Sequence, residues 1–225
     1  MKRPNLFALC GATLAVLLAP SAALAAGTAV SVRIEGGRST LLAAKVVHTH
    51  SGSITRGGAP KGSCPASNAA GALDAATHGR WQGETFSGTP GIFVTSIFGV
   101  KPTRNFYWTV FVDNRTAQTG ICGLKLHKDD QLLFAVTDGR QFPIVLSGPA
   151  HASLGRPFEL KAYYYRATQK RPLGVPTLLK GVHVGGAITN KHGTVTLTAQ
   201  HAGQLRYTAT ETGYIRSAPV TVRVS

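Results

Sequence analysis

Acidic residues are scarce in this 225-residue chain, which has nine Asp and Glu residues against 24 Lys and Arg residues. The few carboxylates are spread along the chain, and several fall in predicted turns. There is also no G-x-S-x-G motif. No pair of groups is therefore typical of acid–base or nucleophilic hydrolysis. We expect a protein that is not an enzyme and predict no cofactor.

Cysteine is almost absent. Of three cysteines, Cys10 falls in the N-terminal apolar segment, so Cys64 and Cys122 remain in the mature chain. An even number of cysteines in an exported protein predicts a disulfide. The alternative is a reactive dithiol, but the two residues are far apart and form no C-x-x-C motif.

Long apolar runs are missing beyond the N-terminus. Residues 1–25 begin with Lys2 and Arg3, continue through an apolar run that ends before Pro20, and finish with the small-x-small pattern at Ala25. The run is too short for the ~20 residues that cross a bilayer. We predict a cleaved signal peptide, a secreted or cell-surface location, and no transmembrane segment.

The chain also lacks runs of basic residues, although its formal net charge is +15, or +13 once Lys2 and Arg3 are removed. Lys and Arg occur singly, which is not typical of nucleic-acid binding, and we predict no nucleic-acid partner. The basic surplus is first that of a soluble, cationic exported protein. The functional alternative is attraction to anionic cell-wall polymer, and another envelope protein is the other candidate partner. The sequence leaves the oligomeric state open.

What is present favours β structure, with strands predicted over 28–35, 40–47, 92–98, 106–112 and 131–136. In the first of these, Val30, Val32 and Ile34 alternate with Ser31, Arg33 and Glu35, which predicts one buried and one solvent-exposed face. Residues 69–78 are the only good helix candidate, with Ser67 or Asn68 as its N-cap and Gly79 at its end. The polar excursion over 49–68 needs a constraint, and Cys64 lies within it.

The aromatic strand over 106–112 is predicted to be central, because both of its faces are largely apolar. Phe106, Trp108, Val110 and Val112 share the side predicted to face the core. The ligand-binding alternative is an open aromatic face formed by Trp81, Tyr107 and Trp108. The other face of this strand carries Tyr107, Thr109 and Phe111, and the sequence leaves open whether the helix or a ligand covers it.

The order of motifs over 28–138 resembles the transcobalamin-like C-terminal domain family of exported bacterial proteins, which are largely uncharacterised. The segments that carry the resemblance are VSVRIEG, AAGALDAATHG, VTSIFG, FYWTVFVDN, TGIC and HKDDQLLFAV. The resemblance implies a β-grasp-like sheet crossed by one helix over 26–138. The large helical domain that accompanies this fold in cobalamin carriers is missing, so cobalamin binding is not implied.

Residues 139–225 contain short β runs spaced about ten residues apart, which is typical of an all-β sandwich. The stretch HGTVTLTAQHAGQLRYTATETGYIRS resembles bacterial immunoglobulin-like domains, which are mostly spacers or adhesive modules. The predicted fold class is therefore mostly β: a β-grasp-like α+β domain with one short helix, followed by an immunoglobulin-like β-sandwich.

Three further patterns carry weaker hypotheses. His48 and His50 could bind zinc or copper if a third ligand joined them, and an exposed polar strand end is the alternative. Residues 163–165 are consecutive tyrosines that could form a polymer-binding strip. Asn114 begins an N-x-T glycosylation pattern, which we attribute to chance.

The sequence thus predicts an exported, non-enzymatic binding or surface-structural protein of the bacterial cell envelope. The alternative is a small-molecule carrier that uses the aromatic face of the first domain.

Overall fold

The computed structural model describes residues 27–56, 64–86, 89–168 and 171–225. The predicted signal peptide over 1–25 lies outside these residues. We refer to residues 27–138 as the N-terminal region and to residues 139–225 as the C-terminal region. The described chain is mostly β, with one short helix among the described residues, which confirms the predicted fold class.

The N-terminal region contains nine strands and helix α1. Their bounds are β1 (Ala29–Glu35), β2 (Thr40–His48), β3 (Ser53–Ile54), β4 (Cys64–Pro65), α1 (Ala69–Thr77), β5 (Trp81–Phe86), β6 (Thr89–Ile97), β7 (Tyr107–Val112), β8 (Arg115–Thr116) and β9 (Gln131–Thr137).

A five-stranded sheet in the order β2-β1-β9-β7-β8 organises this region. Strands β1 and β9 are parallel at its centre, with Val32 opposite Leu132, and the remaining pairs are antiparallel. The parallel pair joins the two ends of the region through a long connection that carries α1. This mixed order with one crossing helix agrees with the predicted β-grasp-like arrangement.

Helix α1 covers one face of the sheet and presents small side chains to it. Ala69, Ala72, Leu73 and Ala76 are buried in one cluster with Val32, Trp108 and Phe134. Small residues allow close approach: a methyl group at Gly71 would overlap the Ala66 carbonyl. At nine residues, α1 is the longest helix of the described chain, far short of a bilayer's thickness, and no candidate membrane-crossing helix is found among these residues.

The ends of α1 differ from the sequence prediction. Asn68 is the N-cap, but its side chain makes no capping hydrogen bond and donates instead to the Cys122 carbonyl. His78 adopts the left-handed conformation at the C-cap, with φ of 52°, and Gly79 continues it. The Asn68 contact joins the helix start to the chain around Cys122, so a tertiary bond replaces the local cap.

The disulfide joins Cys64 and Cys122, as predicted, with Cα atoms 4.6 Å apart. Cys64 lies in β4, which pairs antiparallel with β3, so the described parts of the polar excursion on either side of residues 57–63 are paired as a small hairpin. Residues 57–63 of the excursion lie outside the described residues. The bond ties this hairpin to the segment between β8 and β9.

The C-terminal region contains ten further strands. Their bounds are β10 (Val145–Ser147), β11 (His151–Ala152), β12 (Pro157–Thr168), β13 (Arg171–Leu178), β14 (His183–Val184), β15 (Ala187–Ile188), β16 (Thr194–Thr198), β17 (Gly203–Tyr207), β18 (Ala209–Thr210) and β19 (Val220–Val224).

Three small sheets surround a second core in the C-terminal region. The long strand β12 pairs with β10, β13 and β16, while β19 pairs with β11 and β17, and β14 pairs with β15 and β18. The shared cluster contains a fully buried residue in or next to one strand of each sheet: Leu160 in β12, Val182 before β14 and Val222 in β19. In and just after β16, Val195 and Ala199 are buried and Leu197 is half-buried against the same cluster.

The second face of the five-stranded sheet packs against the C-terminal region. Phe111, Leu133 and Ala135 point away from α1 and form a separate buried cluster with Ile215. The backbone of Ile215 is fixed, because its N–H donates to the Phe142 carbonyl and its carbonyl accepts from Ile144 N–H. Neither the helix nor a ligand is needed to cover this face.

Candidate binding cleft

The two tryptophans of the predicted aromatic face are core residues. Trp81 and Trp108 are 3% and 8% exposed. Trp81 Nε1 donates to Asp74 Oδ1 at 2.9 Å, and Trp108 Nε1 donates to the Val100 carbonyl at 3.4 Å. A buried indole N–H with a protein acceptor is the usual arrangement of a structural tryptophan.

Tyr107 lies apart from them, half exposed on the opposite side of β7. Its hydroxyl approaches Gly139, which has a φ of 85° and leaves no room for a side chain. Trp81, Tyr107 and Trp108 therefore do not form one open surface. The carrier alternative gains no support from their placement and stays a prediction.

Phe106 was assigned to the core side of the aromatic strand, and this assignment is wrong. The strand begins at Tyr107, and the Phe106 side chain is 43% exposed at the edge of a cleft. The preceding turn explains the difference, because Arg104 has a φ of 61° and the regular alternation of the strand has not yet begun there.

A buried charge pair lies where the two regions meet. Arg33 and Glu35 were predicted to face solvent, but they are only 5% and 4% exposed. Arg33 Nη1 donates to Glu35 Oε1 at 2.7 Å and to the Arg216 carbonyl at 3.0 Å. The prediction failed because the C-terminal region covers the polar side of β1, and mutual pairing makes that burial tolerable.

Arg216 extends this network from the C-terminal region. Its guanidinium lies 3.6 Å from Glu35 Oε2, and it donates to Thr40 Oγ1 and to the Arg38 carbonyl. Burial lowers the pKa of Arg33, whereas the charge and hydrogen bond of Glu35 oppose that shift and Arg216 adds to it. The network fixes the loop between β1 and β2 against the segment after β18.

A cleft of about 960 Å³ opens beside this network. Three segments wall it: the loop after β1, the loop before β7, and the segment over 210–216 of the C-terminal region. The network residues Glu35 and Arg216 lie at its lining, together with Val136 of β9 and His183 of β14. Because both regions contribute walls, the cleft exists only while they are packed together.

Two cationic side chains of the cleft are unpaired within the described part of the chain. Arg38 and Lys101 are exposed in the lining, and neither side chain has a hydrogen bond or ion pair with another described residue. In contrast, Glu35 is balanced by Arg33 and Arg216. Glu211 is the remaining carboxylate of the lining, and its Oε1 accepts from Thr212 N–H.

The rest of the lining combines neutral polar groups with aromatic rings. Ser39, Thr103, Gln141 and Thr210 are hydrogen-bonding side chains around Phe106. Tyr214 is half-buried and lies edge-on to Tyr164, with ring centroids 5.4 Å apart. Burial, followed by the nearby Tyr164 and Glu211, raises the pKa of Tyr214, so its hydroxyl is a neutral donor.

A second depression of about 470 Å³ lies between β8, β12 and the start of β19. Tyr163 and Tyr165 meet edge to face at 5.7 Å, and the Arg115 guanidinium lies 3.7 Å from the Tyr165 ring centroid. Tyr164 lies on the opposite side of β12, against Phe142 and Tyr214. The three tyrosines are thus half-buried packing residues on two faces rather than one exposed strip.

The histidine pair has backbone contacts. His48 Nδ1 lies 3.3 Å from the Gly27 carbonyl, and His50 Nδ1 lies 2.8 Å from the Ser51 carbonyl. Within the described ranges, no group of three or more His, Cys, Asp or Glu side chains is arranged to hold a metal ion.

Sequence reasoning missed most residues of the cleft. In the sequence, Arg38 and Lys101 look like ordinary exposed cations in predicted turns. The residues over 210–216 belong to a different predicted domain. One signal was available: opposite charges two positions apart on a central strand, Arg33 and Glu35, can neutralise each other under a cover.

Comparison with known families gives one match. Residues 68–138, just under a third of the chain, match the family described as "Domain of unknown function (DUF4430)". The matched segment starts at the N-cap of α1 and ends just after β9, so it includes the disulfide cysteine Cys122, the loop before β7, and strands β7, β8 and β9 of the five-stranded sheet. No curated protein matches the chain.

Proposed function

We propose that this is an exported, non-enzymatic binding protein of the cell envelope, which acts as a two-domain module with boundaries near 26–138 and 139–225. The first domain is transcobalamin-like and the second is immunoglobulin-like, with a cleaved signal peptide before them. The match of residues 68–138 to a family without an assigned function is compatible with the first of these identities.

One observation carries the proposal: two unpaired cations, Arg38 and Lys101, lie in a cleft in which the Arg33–Glu35–Arg216 network holds two of the three walls together, the loop after β1 and the segment over 210–216. Unpaired cations in a concave site attract anionic ligands, and the +13 charge of the mature chain adds long-range attraction. Anionic cell-wall polymer fits both features better than another envelope protein. The buried tryptophans give the carrier hypothesis no comparable support.

The direct test is sedimentation of the mature protein with insoluble cell walls, before and after chemical removal of their anionic polymers. We expect retention on the intact walls, loss of retention on the stripped walls, and progressive release as salt screens the charges. Equal retention on stripped walls would contradict the proposal. Release that does not depend on salt would also contradict an electrostatic contribution.

Export is tested separately by mass spectrometry of the protein recovered from the medium and the envelope. We expect a mature N-terminus near Ala26. Recovery of the uncleaved chain from the cytoplasm alone would contradict an exported role.

A further inference from the structure

We infer that the cleft between the two regions binds an acidic sugar, with its anionic group at Arg38 and Lys101 and its ring against Phe106. This inference rests on the proposed function, because it names the chemical class of polymer unit that the cleft recognises.

The anionic part of the ligand follows from the charges of the lining. Arg38 and Lys101 are exposed and unpaired within the described chain, whereas Arg216 is held by Glu35, Thr40 and the Arg38 carbonyl. Arg33 and Glu35 form a buried ion pair with each other, so the carboxylate of Glu35 is already paired. The free charge facing a ligand is therefore positive on the Arg38 and Lys101 side.

The sugar part follows from the uncharged lining. Ser39, Thr103, Gln141 and Thr210 provide hydroxyl and amide groups that can both donate and accept hydrogen bonds, which matches the many hydroxyls of a sugar. Phe106 provides a partly exposed aromatic surface against which a ring can pack. A simple inorganic anion has no apolar surface to pack against Phe106. An apolar acid would leave the hydroxyl and amide groups of the lining without hydrogen-bond partners.

The size and construction of the cleft also suit such a ligand. Its volume of about 960 Å³ is near the upper end of ordinary ligand sites, so it admits more than one ring. Glu211 also belongs to the lining, and its carboxylate can accept hydroxyl hydrogen bonds. The walls come from both regions, and the buried network holds the loop after β1 against the segment over 210–216, so the backbone of these two walls is already in place before binding.

The test measures calorimetric binding of three probes to the full mature protein: a galacturonic-acid oligosaccharide, a neutral maltooligosaccharide of equal length, and inorganic polyphosphate. The cleft variant is Arg38→Gln with Lys101→Gln. The matched control is Lys128→Gln with Arg156→Gln, which removes the same charge from exposed positions outside the cleft. Phe106→Ala is compared with Leu154→Ala, another exposed apolar residue.

We expect the acidic oligosaccharide to bind more tightly than the neutral one. The cleft variant should weaken that binding at least about tenfold, and the charge control by about twofold or less, since lost charge-assisted hydrogen bonds outweigh diffuse screening. Phe106→Ala should weaken binding of the acidic oligosaccharide but leave polyphosphate binding unchanged. Circular dichroism and thermal melting confirm that each variant is folded.

Three results would overturn the inference: no binding of the acidic oligosaccharide by the wild type, equal weakening by the cleft variant and its control, or no effect of Phe106→Ala on that probe. Retention on intact walls together with any of these leaves the proposed function standing without the sugar site. If the wild type binds the acidic oligosaccharide in the cleft but is not retained on intact walls, the sugar site stands and the proposed function as a wall-binding protein fails.

Discussion

The two faces of the five-stranded sheet are closed by different means. On one face, α1 packs small apolar side chains against Val32, Trp108 and Phe134, and the Cys64–Cys122 disulfide anchors the neighbouring hairpin. On the other face, the C-terminal region contributes Ile215 to a small apolar patch and Arg216 to a buried charge network. The first face is closed by local chain and a covalent bond, the second by a distant part of the sequence.

This difference accounts for where the candidate binding cleft lies. The helix-covered face is continuous core, and both tryptophans are buried in it. The second face is only partly apolar, and the cleft opens at its edge, where charged groups replace hydrophobic contact. A site formed between two packed units gains walls from both, which is a common location for ligand pockets.

The largest expected effect is on the helix-covered face. Replacing both cysteines, Cys64→Ala with Cys122→Ala, removes a bond that closes a loop of 58 residues. Chain entropy predicts a loss of about 4 kcal/mol in the free energy of unfolding. Denaturant unfolding of the mature protein with and without reductant measures it. A variant as stable as the wild type would show that the hairpin holds without its covalent anchor.

The next effect concerns the charged part of the other face. Glu35→Ala leaves the Arg33 guanidinium buried without its carboxylate partner, and we expect a loss of about 3 kcal/mol in unfolding free energy. This estimate is at the lower end of the usual range, because the Arg216 carbonyl still accepts from Arg33.

The double variant Arg33→Met with Glu35→Leu is the matched control for that prediction. Removing both charges should cost much less than removing one, since apolar pairs often replace buried ion pairs without loss. If the single and double variants are equally destabilised in denaturant unfolding, packing rather than charge pairing stabilises this position.

Ile215→Ala tests the apolar part of the same face. The side chain is 6% exposed between Phe111 and Leu133, but it also lines the cleft, so water can enter the space that is left. We expect a loss of about 2 kcal/mol, at the lower end for such a truncation. Leu73→Ala in α1, fully buried on the opposite face, should cost more in the same denaturant measurement.

Local patterns were enough to predict the helix-covered face. Alternation gave β1, β2 and β7 within one or two residues, and the Ala-rich run gave α1, because these signals depend on near neighbours. The disulfide followed from the cysteine count. Strand β13 was missed because Pro172, Gly174 and Pro176 oppose strand formation, yet it pairs only with β12, and an edge strand tolerates proline.

The cover of the second face could not be predicted, because the hydrogen bonds of its charge network join residues more than 170 positions apart. Arg33 and Glu35 have the alternation of a solvent-exposed side, and only the position of Arg216 turns that side inward. The same holds for the cleft, since Arg38 and Lys101 line a concave site only because the segment over 210–216 packs beside them. A single sequence carries no signal that would place these segments together.

The smallest expected effect is at the far end of the second face, where Arg115 lies over the Tyr165 ring. Arg115→Gln should cost about 0.5 kcal/mol, as expected for a partly exposed cation–π contact. It should also change the titration of Tyr163. Burial and the Tyr165 hydroxyl raise the pKa of Tyr163, and the Arg115 charge opposes that shift, so its removal should raise the pKa further.

The sign of the pH dependence follows from that raised pKa. Above a pH of about 10, an unfolded tyrosine releases its proton while folded Tyr163 retains it, so the unfolded state binds fewer protons. The contribution of Tyr163 to stability is therefore present below this pH and is lost as the pH rises through the folded pKa. Phenolate absorbance, taken as the difference between each protein and its Tyr163→Phe counterpart, measures the pKa with and without Arg115. A lower pKa in Arg115→Gln would mean that the guanidinium acts on Tyr163 by excluding water rather than by its charge.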